Sequence, residues 1–169
     1  MHLIKEWQRV SDDWQMLAGD DAALVDCSAG GPRQILPLAL YASFAPALHG
    51  QRQRIGLLLE ADANPEQVDA FLAQVALVAV RFDSFSDGRG YSLGRLIRQR
   101  YGFCGELRAV GDVLRDQLYF LYRCGFDAFL LRQDQDPDEA LKGASDYRWQ
   151  PLSGLMAAGA AQDAHDVAR

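Results

Sequence analysis

Lysine is almost missing from this chain: its 169 residues include two lysines, Lys5 and Lys142, against fifteen arginines. Positive charge of either kind is in deficit, 17 basic residues facing 23 acidic ones for a net charge of −6, with an isoelectric point near 4.9. Broad nucleic-acid and anionic-membrane surfaces need clustered cations, so both partners are excluded and any anionic ligand has to be small and locally held. Long apolar runs are also missing. No stretch approaches the ~18 residues of a membrane-spanning helix, and MHLIKEWQRVSDDW mixes acids and bases without the apolar centre of a secretory signal. The expected location is the cytoplasm.

The residues that usually build reactive centres are scarce as well. Cys27, Cys104 and Cys124 are widely spaced, with no CxxC pair and no companion histidine, so nothing suggests a zinc site, an iron–sulfur cluster or a dithiol. His2, His49 and His165 have no candidate nucleophile beside them in sequence. A dinucleotide fingerprint would need glycine at position 93, which is Leu93, and no GK[ST] follows Gly88 or Gly90. Neither cofactor nor metal is expected. No complete catalytic constellation is visible, and whether the protein is an enzyme stays open at this point.

What is present is the composition of a globular domain, 49% hydrophobic and 24% charged, long enough to bury about 70% of its unfolded surface. Residues 1–150 read as one α/β domain. From residue 55 onward, short apolar runs alternate with helical periodicity, the pattern of parallel strands joined by crossover helices. Strands are expected at Ile55–Leu59, Leu77–Phe82, Glu106–Val110 and Phe126–Leu131. Helices are expected after an Asn64–Pro65 start, from a Ser92 cap to Gly102, from an Asp112 cap to Gly125, and from Asp136–Pro137 onward. The four βα units of residues 55–150 suit a parallel sheet like half of a (β/α)8 barrel, or a small open sheet. Residues 1–54 read as an irregular cover with short antiparallel strands at Ala22–Val25 and Ile35–Leu40. Residues 151–169 read as a flexible tail. A parallel sheet of this kind leaves two edges, so a homodimer is expected.

The segment Asp83 to Ser92 (DSFSDGRGYS) follows a strand and precedes a helix, where parallel α/β folds build their ligand crevices. Gly88 and Gly90 free the backbone to approach a ligand, Ser92 opens a helix with unpaired N–H groups, and Arg89 completes an oxyanion site. A tight turn with Arg89 paired to a carboxylate accounts for the segment equally well. Strand alternation puts Arg81 and Arg108 on the face away from the helices, where they and Arg132 would meet Asp83, Asp112 and Asp134 near the strand ends. Such a cluster is either an anion pocket or an ion-pair network. If it is catalytic, Asp83, Asp87 or Asp112 is the candidate general base.

The run from Asp87 to Arg132, DGRGYSLGRLIRQRYGFCGELRAVGDVLRDQLYFLYRCGFDAFLLR, resembles a bacterial family of otherwise uncharacterised proteins linked to sulfite reduction. The recurring segments are DGRGYS, GELRA, GDVLRDQ and GFDAF, with weaker similarity back through QILPL and IGLLLEAD. The resemblance implies an oxidoreductase pathway, assimilatory sulfite reduction and hence cysteine biosynthesis, with genes beside the sulfite reductase hemoprotein. It carries no catalytic residue with it. The expected role is therefore an accessory protein that binds a small oxyanion, docks to sulfite reductase, or does both. The alternatives are a βα enzyme acting on a phosphorylated or sulfated small molecule, and a non-catalytic scaffold.

Overall fold

The computed structural model describes residues 2–145, so the tail at 151–169 lies outside the described residues. Eight strands form one sheet: β1 His2–Lys5, β2 Gln8–Val10, β3 Trp14–Met16, β4 Arg33–Pro37, β5 Ile55–Glu60, β6 Leu77–Phe82, β7 Glu106–Gly111 and β8 Ala128–Leu131. Their order is β2-β1-β8-β7-β6-β5-β4-β3. β3 through β8 run parallel, whereas β1 pairs antiparallel with both β8 and β2. The sheet is thus mixed, with six strands in its parallel run where the sequence predicts four. Five helices follow the last five strands: α1 Leu38–Leu48, α2 Pro65–Leu72, α3 Arg89–Gln99, α4 Leu118–Arg123 and α5 Pro137–Ser145.

The apolar runs read at 55, 77, 106 and 126 are β5 to β8, and Asn64 caps α2 by accepting the Glu66 N–H at 3.0 Å. The amino-terminal third differs from its reading. Ala22–Leu24 is a single 3-10 turn, and β4 is a parallel strand leading directly into α1, which makes a fifth βα unit. α1 hides in the sequence because LALYASFAPAL is apolar on most sides and contains Pro46 one turn from its end. α3 begins at Arg89 after Gly88, three residues before Ser92. Asp112 caps no helix: a 3-10 turn at Arg115–Gln117 precedes α4, and the Asp112 carboxylate is used elsewhere.

The strand order places β2 and β3 at opposite edges, yet only Ser11, Asp12 and Asp13 connect them. Four virtual bonds hold the Val10 and Trp14 Cα atoms within about 15 Å, while eight strands laid flat at ~4.8 Å spacing would separate the edges by about 34 Å. The sheet therefore curls into a half-barrel with the linker as a strap. Its helix-bearing face buries Leu36, Leu57, Val78, Val80, Phe82, Leu107 and Phe129, together with Val68, Leu93, Ile97 and Leu121 from the helices. The inner face has its own apolar core of Leu3, Ile35, Leu58, Leu77, Ala79, Val110, Ala128 and Leu130. A polar knot pins the strap to that inner face. Arg108, 1% exposed, donates from Nη1 to Asp12 at 2.8 Å and from Nε to Glu106 at 2.8 Å, and Lys5 Nζ reaches the other Glu106 oxygen at 2.9 Å. With two cations facing two carboxylates, the knot satisfies a charge that would otherwise be costly to bury.

Candidate functional site

The carboxyl ends of β5 to β8 open on one side of the sheet, and the loops that leave them form a mouth. Arg81 sits directly across from Glu60 in the β5–β6 register and donates to it at 3.1 Å. After Phe82 the chain turns at Ser84–Asp87, closed by the Asp87 N–H to the Ser84 carbonyl at 3.0 Å. Arg89 then folds back on Asp87: its backbone N–H and Nε each reach Oδ1 at 3.0 Å, and Nη2 reaches Oδ2 at 2.7 Å. Its Nη1 lies 3.4 Å from Asp62. This fork holds the Asp87 carboxyl at about 2, below the ordinary aspartate value, so Asp87 is a poor proton acceptor near neutrality. It also takes the first free N–H of α3, one of the amides that an anion would use.

On the opposite side of the mouth, Arg132 donates to Asp134 at 2.6 and 2.7 Å and to Asp112 Oδ1 at 2.6 Å. The other Asp112 oxygen accepts the Phe85 N–H at 2.9 Å. Arg81, Arg89 and Arg132 therefore do gather at the strand ends, and each already has a carboxylate. Arg108 shares their sheet face but lies deeper, two residues before Val110, which pairs with Arg81. Asp83 stands in the same loop. Gly88 is open to solvent, whereas Gly90 faces the Phe82 ring, where an added Cβ would lie 2.6 Å from a ring carbon. Its missing side chain lets helix α3 seat on strand β6. Ser92 lies within α3.

Gln117, Phe85 and Phe120, none of them a candidate site residue in the sequence reading, shape this corner. Gln117, 8% exposed, donates to the Phe85 carbonyl at 3.0 Å and to the Tyr91 hydroxyl at 3.0 Å, and accepts the Leu114 N–H at 2.8 Å. Phe85 is consequently held at both its N–H and its C=O, yet its ring is 58% exposed. Phe120, one turn beyond Gln117, is 60% exposed. Singly exposed apolar side chains are ordinary on a protein surface; Phe85 is set apart by an exposed ring on a backbone tied at both its N–H and its C=O. A buried glutamine inside GDVLRDQ was the available signal. A polar side chain with strong donors and acceptors, placed between apolar helical positions, has to be satisfied by something nearby.

Two of the segments singled out in the sequence converge here. DGRGYS supplies the Asp87–Arg89 fork, Gly90 and Tyr91. GDVLRDQ supplies Asp112, Gln117 and Gly111, whose φ of +93° and contact with the Phe82 carbonyl admit no side chain. GFDAF does not reach the mouth: its Asp127 lies at the amino-terminal end of the strands, just before β8, where it accepts the Leu107 N–H at 2.9 Å and Arg98 Nη2 at 2.6 Å. Burial pushes the Asp127 carboxyl above its usual value in spite of Arg98. No group of metal-ligating side chains occurs among the described residues, and no described helix is long and apolar enough to cross a membrane.

No curated protein matches the sequence. Residues 56–151, which span the last four strands and the whole mouth, match a bacterial protein family of unknown function (DUF934), and the chain belongs to that family.

Proposed function

We propose that this protein is a non-catalytic accessory factor of assimilatory sulfite reduction that docks to sulfite reductase through the corner built by Phe85 and Phe120. The pathway rests on the resemblance of the Asp87–Arg132 run. The docking mode rests on one observation, the exposed Phe85 ring on a backbone tied at both its N–H and its C=O. A preorganised aromatic ring loses little entropy on binding, which is how interface anchors concentrate energy. The mouth arginines favour docking over capture of a free oxyanion, because sulfite or sulfate would have to displace Asp87 from Arg89 or Asp112 from Arg132. A homodimer through the unpaired edges of β2 and β3 belongs to the same proposal.

Phe85→Ala is expected to weaken binding of the reductase hemoprotein at least tenfold, about 1.4 kcal/mol, in biolayer interferometry. Its melting temperature should stay within a degree or two of wild type, since the ring is already in solvent. Unchanged affinity for the reductase overturns the docking surface.

A further inference from the structure

The β1–β2 ribbon carries a second, separate concentration of donors. Leu3 lies opposite Val10 and Ile4 opposite Arg9, so continuing the register brings Ser11 opposite His2. His2, Arg9 and Ser11 then share one face of the ribbon, with His2 and Arg9 diagonal neighbours within about 7–8 Å. An open cleft of about 550 Å³ is lined by His2, Arg9, Val10, Ser11 and Asp12.

The charges around this cleft do not cancel. Asp12, its only carboxylate, is engaged by Arg108, and the knot of Arg108, Lys5, Glu106 and Asp12 is neutral as a unit. Arg9 differs from the mouth arginines: among the described residues no hydrogen bond, ion pair or ring contact engages its guanidinium. In a chain of net charge −6, the cleft therefore keeps an uncompensated guanidinium beside an imidazole and a hydroxyl. A planar fork with neighbouring donors suits a tetrahedral oxyanion better than a carbonyl or a cation.

We infer that this cleft is a binding site for a sulfate- or phosphate-type oxyanion, with Arg9 giving the bidentate contact and His2 and Ser11 the remaining donors. The cleft shares no residue with the mouth or with the Phe85 corner, although His2 pairs with Leu131 beside Arg132, and it stands or falls independently of the docking proposal. The test is an amide NMR titration of the full chain with sodium sulfate and sodium phosphate, against sodium chloride at matched ionic strength. Saturable shifts centred on residues 2 and 9–12 are expected for both oxyanions and not for chloride. Arg9→Ala should weaken the apparent affinity at least tenfold and Ser11→Ala two- to threefold, with Arg89→Ala titrating as wild type. Arg9 is exposed on an edge strand, so its loss should leave the spectrum of the folded protein intact. Linear shifts equal to those of chloride, or saturable shifts centred on residues 84–90 and lost in Arg89→Ala, overturn the assignment.

Discussion

Arg89 was read from its position between two glycines as either an anion ligand or the partner of a nearby acid, and the geometry engages it with Asp87 and Asp62. That pairing has a measurable signature. Because the folded-state value of Asp87 lies at about 2, the stability it contributes is complete above the ordinary aspartate value and is lost as pH falls from there toward about 2. In Arg89→Ala the Asp87 carboxyl should titrate distinctly higher in a carbon-detected NMR experiment. It should still fall short of the ordinary value, because the backbone N–H of residue 89 continues to donate. The two glycines separate in the same way. Gly90→Ala pushes a methyl into the Phe82 ring and should cost about 1–3 kcal/mol, lowering the melting temperature in calorimetry, whereas Gly88, with φ −72° and open space around it, should accept alanine almost without loss. The sequence reading gives both glycines the same task, freeing the backbone to approach a ligand. It could not show that one glycine serves packing, since the ring it meets lies eight residues back in a different element.

Elements with one strong period were legible, and elements without one were not. β5 to β8 declare themselves as continuous apolar runs because they are buried on both faces, and α2 as a capped stripe of Val68 and Leu72 that sets a buried face against a polar one. α1 lacks such contrast, and β4 takes its direction from β5, a long-range fact that no local pattern holds. The strap belongs with these. Ser11 to Asp13 fall in the segment read as an irregular cover, and only tertiary structure reveals that Asp12 closes the ion-pair knot while Asp13 meets Arg33 at 3.0 Å. Asp12→Asn should loosen that closure. Hydrogen exchange is expected to quicken across residues 11–16 and to stay unchanged in Leu77–Phe82; wild-type protection across residues 11–16 would mean that the knot does not hold the strap.

For the whole molecule, the βα rhythm reached an α/β sheet, with half a barrel and a small open sheet left as alternatives, but it put four strands in the parallel run where the structure has six. The difference lies in the amino-terminal third, where β3 and β4 extend the parallel run, β1 alone runs against it and β2 turns back beside β1. Spacing could not reveal this, since β1 finds its partner in β8, more than 120 residues later in the chain. The candidate site was legible as a loop and not as a surface: DGRGYS and GDVLRDQ stood out separately, and only the curl of the sheet and the reach of Gln117 join them around Phe85.

The pairing of β1 with β8 also bears on synthesis. As the protein leaves the ribosome, its first hairpin emerges with nothing to lie against and has to wait, solvent on both flanks, until the segment ending at Leu131 has been translated. Native assembly is therefore completed late, by a contact of very large sequence separation. Such closure is slow, and it gives a nascent-chain chaperone a defined interval in which Leu3 and Ile4, fully enclosed in the finished fold, are still within its grasp.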